Sequence, residues 1–356
     1  MTPRFYQLGV AALVFALPLL MAAPPTAPVN PPVPRGYVAF KATTPPTIDG
    51  KLDDAVWAAA PWSEDFADIE GFDKPAPKYR TRMKMLWDDR ALYIAAELVE
   101  PNVWATITEH DAVIFHDPDF EVFLDPDGDN HMYAELELNA RNMTWDLLLT
   151  KPYKDGGTAV NAWEIRGLKT AVAVDGTLND PRDTDRGWTV EIAWPWAGLK
   201  ELTAAAVPPA DGDHYRINFS RVEWDVDVKA GKVVKVPNRP EHNWVWSPQG
   251  VIDMHRPERW GEVQFSTKAA GPVAFRPDPA RAVKDRLHDA YYAQHAYRAR
   301  TGGYTAAADL LKLRPDPSGV PTLEATPRAF TASLKAPAAA GGKTWVLDQD
   351  ARLRAE

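Results

Sequence analysis

Residues 119–140 read DFEVFLDPDGDNHMYAELELNA. In the first seven, Phe120, Val122 and Leu124 face one way while Glu121, Phe123 and Asp125 face the other, the period of two expected of a strand. The pattern returns from Met132 to Ala140, where Leu136 and Leu138 oppose Glu135, Glu137 and Asn139. Between the runs, the turn formers of 125–130 predict an antiparallel hairpin with a loop of about six residues.

Outward from this hairpin the same signal recurs. Trp188, Val190, Ile192 and Trp194 form an apolar stripe, as do Ile217 and Phe219, and further strands are expected over 82–87, 92–98, 144–149, 168–174 and 260–265. Thirteen of the fourteen tryptophans lie between Trp57 and Trp260, which locates the buried aromatic area. Helix is confined to pieces such as 53–60. The expectation is a mainly β chain, an antiparallel β-sandwich of two sheets. Its inner face should carry Phe120, Val122, Leu124, Leu136, Leu138, Val190, Ile192 and Ile217.

The ends differ in character. Arg4 followed by the apolar run 8–23 has the order of a secretory signal, giving residues 1–23 as a signal peptide and a secreted or periplasmic protein. Residues 24–36 read as a proline-rich spacer, and 37–267 as the main domain. In the remainder, 268–356, Asp278 and Pro279 open a helix that carries Val283, Leu287, Tyr291, Gln294 and Tyr297 and stops at Gly302. A second short helix over 305–313 and a strand at 344–347 complete a small helical appendage, expected to lack its own core and to pack on the sandwich.

Composition narrows the chemistry. Acidic residues outnumber basic ones 49 to 40 across 356 residues, for a net charge of −9, which opposes a nucleic-acid partner. There is no cysteine, hence no disulfide, thiolate metal site or cysteine nucleophile. No apolar stretch beyond the first reaches about 18 residues, so no membrane span is expected in the mature chain. Nucleotide-binding loops, Gly-x-Ser-x-Gly and His-Glu-x-x-His are missing, removing nucleotide cofactors, serine hydrolysis and zinc proteolysis.

Two clusters invite a chemical reading. Asp125, Asp127 and Asp129 offer hard oxygens at alternate positions, suited either to calcium or simply to a tight turn. Glu121, Glu135, Glu137 and Asn139 emerge on one face of paired strands. They form either a solvated outer surface or a polar platform for a polyol, with Phe115, Phe123 and Trp145 nearby for sugar C–H faces. His110 and His116 read as surface histidines, and Met83, Met85, Met132 and Met143 as core rather than haem ligands.

With those residues in place, a resemblance emerges. The segments 46–57 (PTIDGKLDDAVW), 85–94 (MLWDDRALYI), 119–125, 188–194 (WTVEIAW), 217–221 (INFSR) and 260–263 (WGEV) together resemble the family 9 carbohydrate-binding modules and their DOMON-like relatives. The resemblance implies an immunoglobulin-like two-sheet sandwich over roughly 37–266, a non-catalytic role beside plant-polysaccharide hydrolases, and often bound calcium. The two aromatic grips of the family fall at Phe115 and Met254, of which only the first is aromatic. The sheet glutamate is matched by Glu121; other polar contacts fall at Glu135, Glu137 and Ser220, which are different residue types from the family's. Apart from the resemblance, Arg221 completes the ring of polar groups if no bulge after Ser220 changes its face. The implied function is recognition of a polysaccharide or oligosaccharide, with a glycoside hydrolase as partner. A haem-binding redox module and a glycoside hydrolase acting on O-glycosyl bonds are the alternatives.

Overall fold

A computed structural model describes residues 24–28 and 31–356; the signal-peptide reading lies outside the described residues. The strands Asp119–Asp125 and Tyr133–Asn139 form the expected hairpin, with Glu121 directly opposite Glu137. From it one long sheet extends in both directions. Tyr133–Asn139 pairs with Thr144–Leu149, and Asp119–Asp125 with His214–Glu223. Beyond these come Gly261–Ser266, Gly36–Lys41, Thr81–Trp87, Ala91–Val99, Gly187–Pro195 and Lys169–Asp175. The Gly36–Lys41 strand runs parallel to both neighbours while the other pairings are antiparallel, so it joins two antiparallel halves into one curled sheet. The halves fold over each other as the layers of the sandwich.

Alternation dictates which side enters the core. All eight residues expected to face inward are fully buried in one cluster, alongside Met83, Met85 and seven tryptophans that include Trp87, Trp188 and Trp194. Gly261 shows why the residue after Trp260 carries no side chain. A Cβ there would lie 2.2 Å from the Trp246 ring, which packs beneath the strand.

Two expectations about the ends change. The proline-rich stretch lies along the sandwich instead of standing off it. Polyproline backbone has no internal hydrogen bonds, and its free carbonyls are taken by arginines: Thr26 accepts from Arg256 at 3.1 Å, and Pro32 from Arg259. The appendage, in turn, has its own core. Its helix, Arg281–Thr301, ends on Gly302 in the left-handed region as expected, but residues 305–313 form only the short turn Ala308–Leu311. A four-stranded antiparallel sheet, Thr322–Ala325, Phe330–Lys335, Thr344–Asp348 and Leu353–Ala355, gives the helix an apolar partner. Leu287, Tyr291, Leu323, Phe330, Leu347 and Leu353 are buried between them. Among the described residues no helix is long and apolar enough to cross a membrane.

Candidate functional site

On the hairpin face away from the core, pairing lines up side chains across four strands. Ser220, Glu121, Glu137 and Trp145 stand in one row, and Asn218, Phe123, Glu135 and Leu147 in the next. Of the two readings for this face, the solvated surface is ruled out: Glu121, Glu135 and Glu137 are each 5% exposed or less. The face is roofed because Phe123, Tyr133, Leu147, Leu149 and Trp260 form a second apolar cluster on it, capped by Met254 and Trp145. What stays open is a pocket of about 220 Å³.

Four distant segments wall this pocket, one of them the stretch that carries Glu241 and Asn243. The turn Ile114–His116 is held by the Phe115 N–H, which donates to Glu137 Oε2 at 3.0 Å, and it presents the Phe115 ring. The turn Tyr153–Asp155 contributes Tyr153, and the loop before Trp260 contributes Met254 and His255. The Tyr153 and His255 rings meet edge to face with centroids 4.4 Å apart. Trp260 Nε1 donates to the Met254 carbonyl at 2.8 Å and so fixes that loop.

Burial governs the electrostatics. Removal from water raises the pKa of Glu121 to about 7. Burial, then repulsion from Glu121, pushes Glu135 and Glu137 well above the carboxylate range. Asp119, behind Glu121, is raised by the same two causes. Burial moves His255 the other way, to about 4, so its ring is neutral at neutral pH. The Tyr133 hydroxyl lies 3.1 Å from His255 Nδ1, and His255 Nε2 stands 4.0 Å from Glu135.

Of the residues expected to bind a glycan, five line this pocket: Phe115, Glu121, Glu135, Glu137 and Met254. Three do not. Asn139 is turned into the fold, donating to Asp117 Oδ2 at 3.0 Å and to the Ile107 carbonyl at 3.1 Å. Ser220 sits beside Glu121 in the row but outside the pocket wall. Arg221 does not complete the ring, because the alternation set by Ile217 and Phe219 continues and points it between the layers. There it donates to Thr81 Oγ1 and the Val99 carbonyl and is paired with Glu100 and Glu223 at 2.7 and 2.6 Å.

Tyr153, Glu241, Asn243 and His255 also line the pocket and were not singled out in the sequence. Tyr153, Glu241 and His255 come from turns and loops with no periodic signal, and Asn243 from the four-residue strand His242–Val245, too short to carry one. The one hint was the aromatic density around Trp260, whose ring carries the His255 loop.

Asp125, Asp127 and Asp129 converge, each with a carboxylate oxygen within 4.8 Å of the other two. The donor set is of the hard-oxygen kind that calcium takes. The same oxygens also serve the turn: Asp125 accepts the Gly128 and Asn130 N–H groups at 3.0 Å, and Asp129 accepts from Arg352 at 3.2 Å. Both readings of this loop therefore remain compatible with its geometry. His110 and Glu164, both exposed, form a separate group with the buried Asp146, while the His116 ring lies tilted beside Phe115.

The sequence pattern of the family described as carbohydrate family 9 binding domain-like matches residues 48–266. Exoglucanase XynX of Acetivibrio thermocellus is 25% identical over 162 residues, a match covering 46% of this chain and 12% of that protein. A family 9 module from Caldicellulosiruptor kristjanssonii in complex with cellotriose is similar at 18% identity, with a TM-score of 0.44, over 67% of this chain and 100% of that one. A family 9 structure from the same organism in complex with glucose is similar at 17% identity and a TM-score of 0.42, with the same coverage.

Proposed function

Because this chain belongs to the carbohydrate family 9 binding domain-like family, we propose that it is an exported, non-catalytic protein that binds a polysaccharide or oligosaccharide in the Glu121–Glu135–Glu137 pocket. It would present the glycan to a glycoside hydrolase during catabolism. The observation that carries this reading is the convergence of Phe115, Met254 and the three glutamates, from four separate segments, on one pocket. An aromatic face for the sugar ring beside a few fixed hydrogen-bonding groups is how small polar ligands are held. At about 220 Å³ the pocket suits a single ring, with the rest of a longer glycan running into solvent. Calcium at Asp125, Asp127 and Asp129 belongs to the same reading, as a stabiliser of the hairpin loop.

Binding is favoured over hydrolysis because Glu121, Glu135 and Glu137 rise from one wall, whereas glycosidic cleavage uses two carboxyls flanking the bond. Titration calorimetry with glucose, cellotriose and a wider sugar panel tests the proposal. Binding should weaken by roughly one to two orders of magnitude in Glu121→Ala or Glu137→Ala, as leaving a buried sugar hydroxyl without its partner implies. No binding by any sugar, or unchanged affinity in both variants, would place the site elsewhere.

A further inference from the structure

Four carboxylates line the pocket, those of Glu121, Glu135, Glu137 and Glu241, and none of its lining residues is lysine or arginine. Asp119 adds a fifth just behind, with Asp119, Glu121 and Glu137 each placing an oxygen within 4.8 Å of the other two. Glu135 is 5% exposed, and among the described residues its side-chain hydrogen-bond partner is another acid, the Glu137 carboxyl. Its polar neighbours are the Glu137 carboxyl and the neutral His255 ring, 4.0 Å away. Lys235 spreads its ammonium over the Trp224 ring at 3.3 Å and acts on Asp117, Glu241 and Asp119. The Tyr133 and Tyr153 hydroxyls are held uncharged by burial and by the field of Glu135.

We propose that this pocket takes an amino sugar, a ring carrying a free ammonium group, in preference to a neutral sugar. The inference rests on the carbohydrate-binding reading and specifies its ligand. A neutral hydroxyl can donate to one carboxylate, but it leaves the mutual repulsion of the acids untouched. An ammonium brings three donors and one positive charge to a point where carboxylates converge in a low-dielectric setting. Phe115 and Trp145 supply faces for the ring's C–H groups and for the cation itself. The empty pocket relieves its repulsion by holding protons on its acids. An ammonium-bearing ligand must expel them, so its binding releases protons and tightens as pH rises, while the ligand's amine stays charged.

The test is titration calorimetry on the full chain with glucosamine, glucose and N-acetylglucosamine, and with their short β-1,4 oligomers. It is run with chelator present at pH 5 and pH 7, in two buffers of different ionisation enthalpy. Glucosamine should bind at least about tenfold more tightly than the other two, equivalent to one extra charge-assisted hydrogen bond. Its heat should depend on the buffer, reporting proton release. Glu135→Gln and, independently, Glu137→Gln should bring the glucosamine-to-glucose affinity ratio towards one. Equal or tighter binding of glucose, or glucosamine binding without proton release, overturns the amino-sugar proposal and leaves carbohydrate binding standing. If none of the sugars binds, both readings fail together.

Discussion

The Tyr291 hydroxyl, in the middle of the appendage helix, donates to the carboxylate of Asp155, two residues beyond the pocket residue Tyr153. Lys154 stands over the same ring and reaches its hydroxyl at 3.2 Å. The next residue, Tyr292, donates to Glu258 and accepts from Arg256 at 2.8 Å, beside His255. Both loops that wall the pocket on its far side are thus fastened to consecutive tyrosines of a segment outside the family match.

Tyr291→Phe should therefore loosen the pocket as well as the appendage. It removes a buried hydrogen bond to a charged group and should cost about 1.5 to 3 kcal/mol. A lower urea midpoint together with weaker glycan binding is the expected pair of results. A lower midpoint with unchanged affinity would show that the tyrosine holds the appendage alone.

Leu138→Ala addresses the other face of the hairpin. Leu138 is fully buried between the layers, opposite Phe120. Its truncation should cost about 2 to 5 kcal/mol through lost transfer energy and the cavity left behind. An unchanged midpoint at unchanged denaturant slope would remove it from the core.

The inner face was legible in the sequence because burial imposes a period of two on strand residues, and that rule is local. The burial of Glu121, Glu135 and Glu137 was not, since it depends on Phe115, Tyr153 and Met254 arriving from segments with no regular pattern. For Arg221, alternation from Ile217 already pointed inward. A charged side chain between two sheets became readable only once Glu100 and Glu223 were seen around it. Of the appendage sheet only the strand at 344–347 was legible, because the others are short and separated by turns rich in glycine, proline and alanine.

Calcium should stabilise the chain if Asp125, Asp127 and Asp129 hold it in the native state only. At about 100 times its dissociation constant it would add roughly 2.7 kcal/mol. Thermal unfolding followed with calcium and with chelator checks this, and Asp127→Asn should abolish the difference. Two identical melting curves would leave the three aspartates as turn formers.

The pocket acids should make stability depend on pH in the direction opposite to ordinary carboxylates. Glu121 has a pKa of about 7 in the fold against an ordinary value of 4.5. A raised acid favours the folded state while protonated, so its contribution is complete below about 4.5 and is lost as pH rises through about 7. Glu135, Glu137 and Asp119 are displaced the same way. His255 works against them at the acid end, because a ring held to about 4 must stay neutral while the unfolded chain takes up protons below 6.5. Comparison with Glu121→Gln cancels the histidine contribution. The variant should match the wild type near pH 5 and exceed it near pH 8 by on the order of a few kcal/mol, since it removes a charge from a site out of water. Urea midpoints measured across that range give the difference directly. A gap between the two proteins that does not vary with pH would mean that Glu121 titrates alike in the folded and unfolded chains. The pocket would then lack the low-dielectric setting that the amino-sugar preference requires.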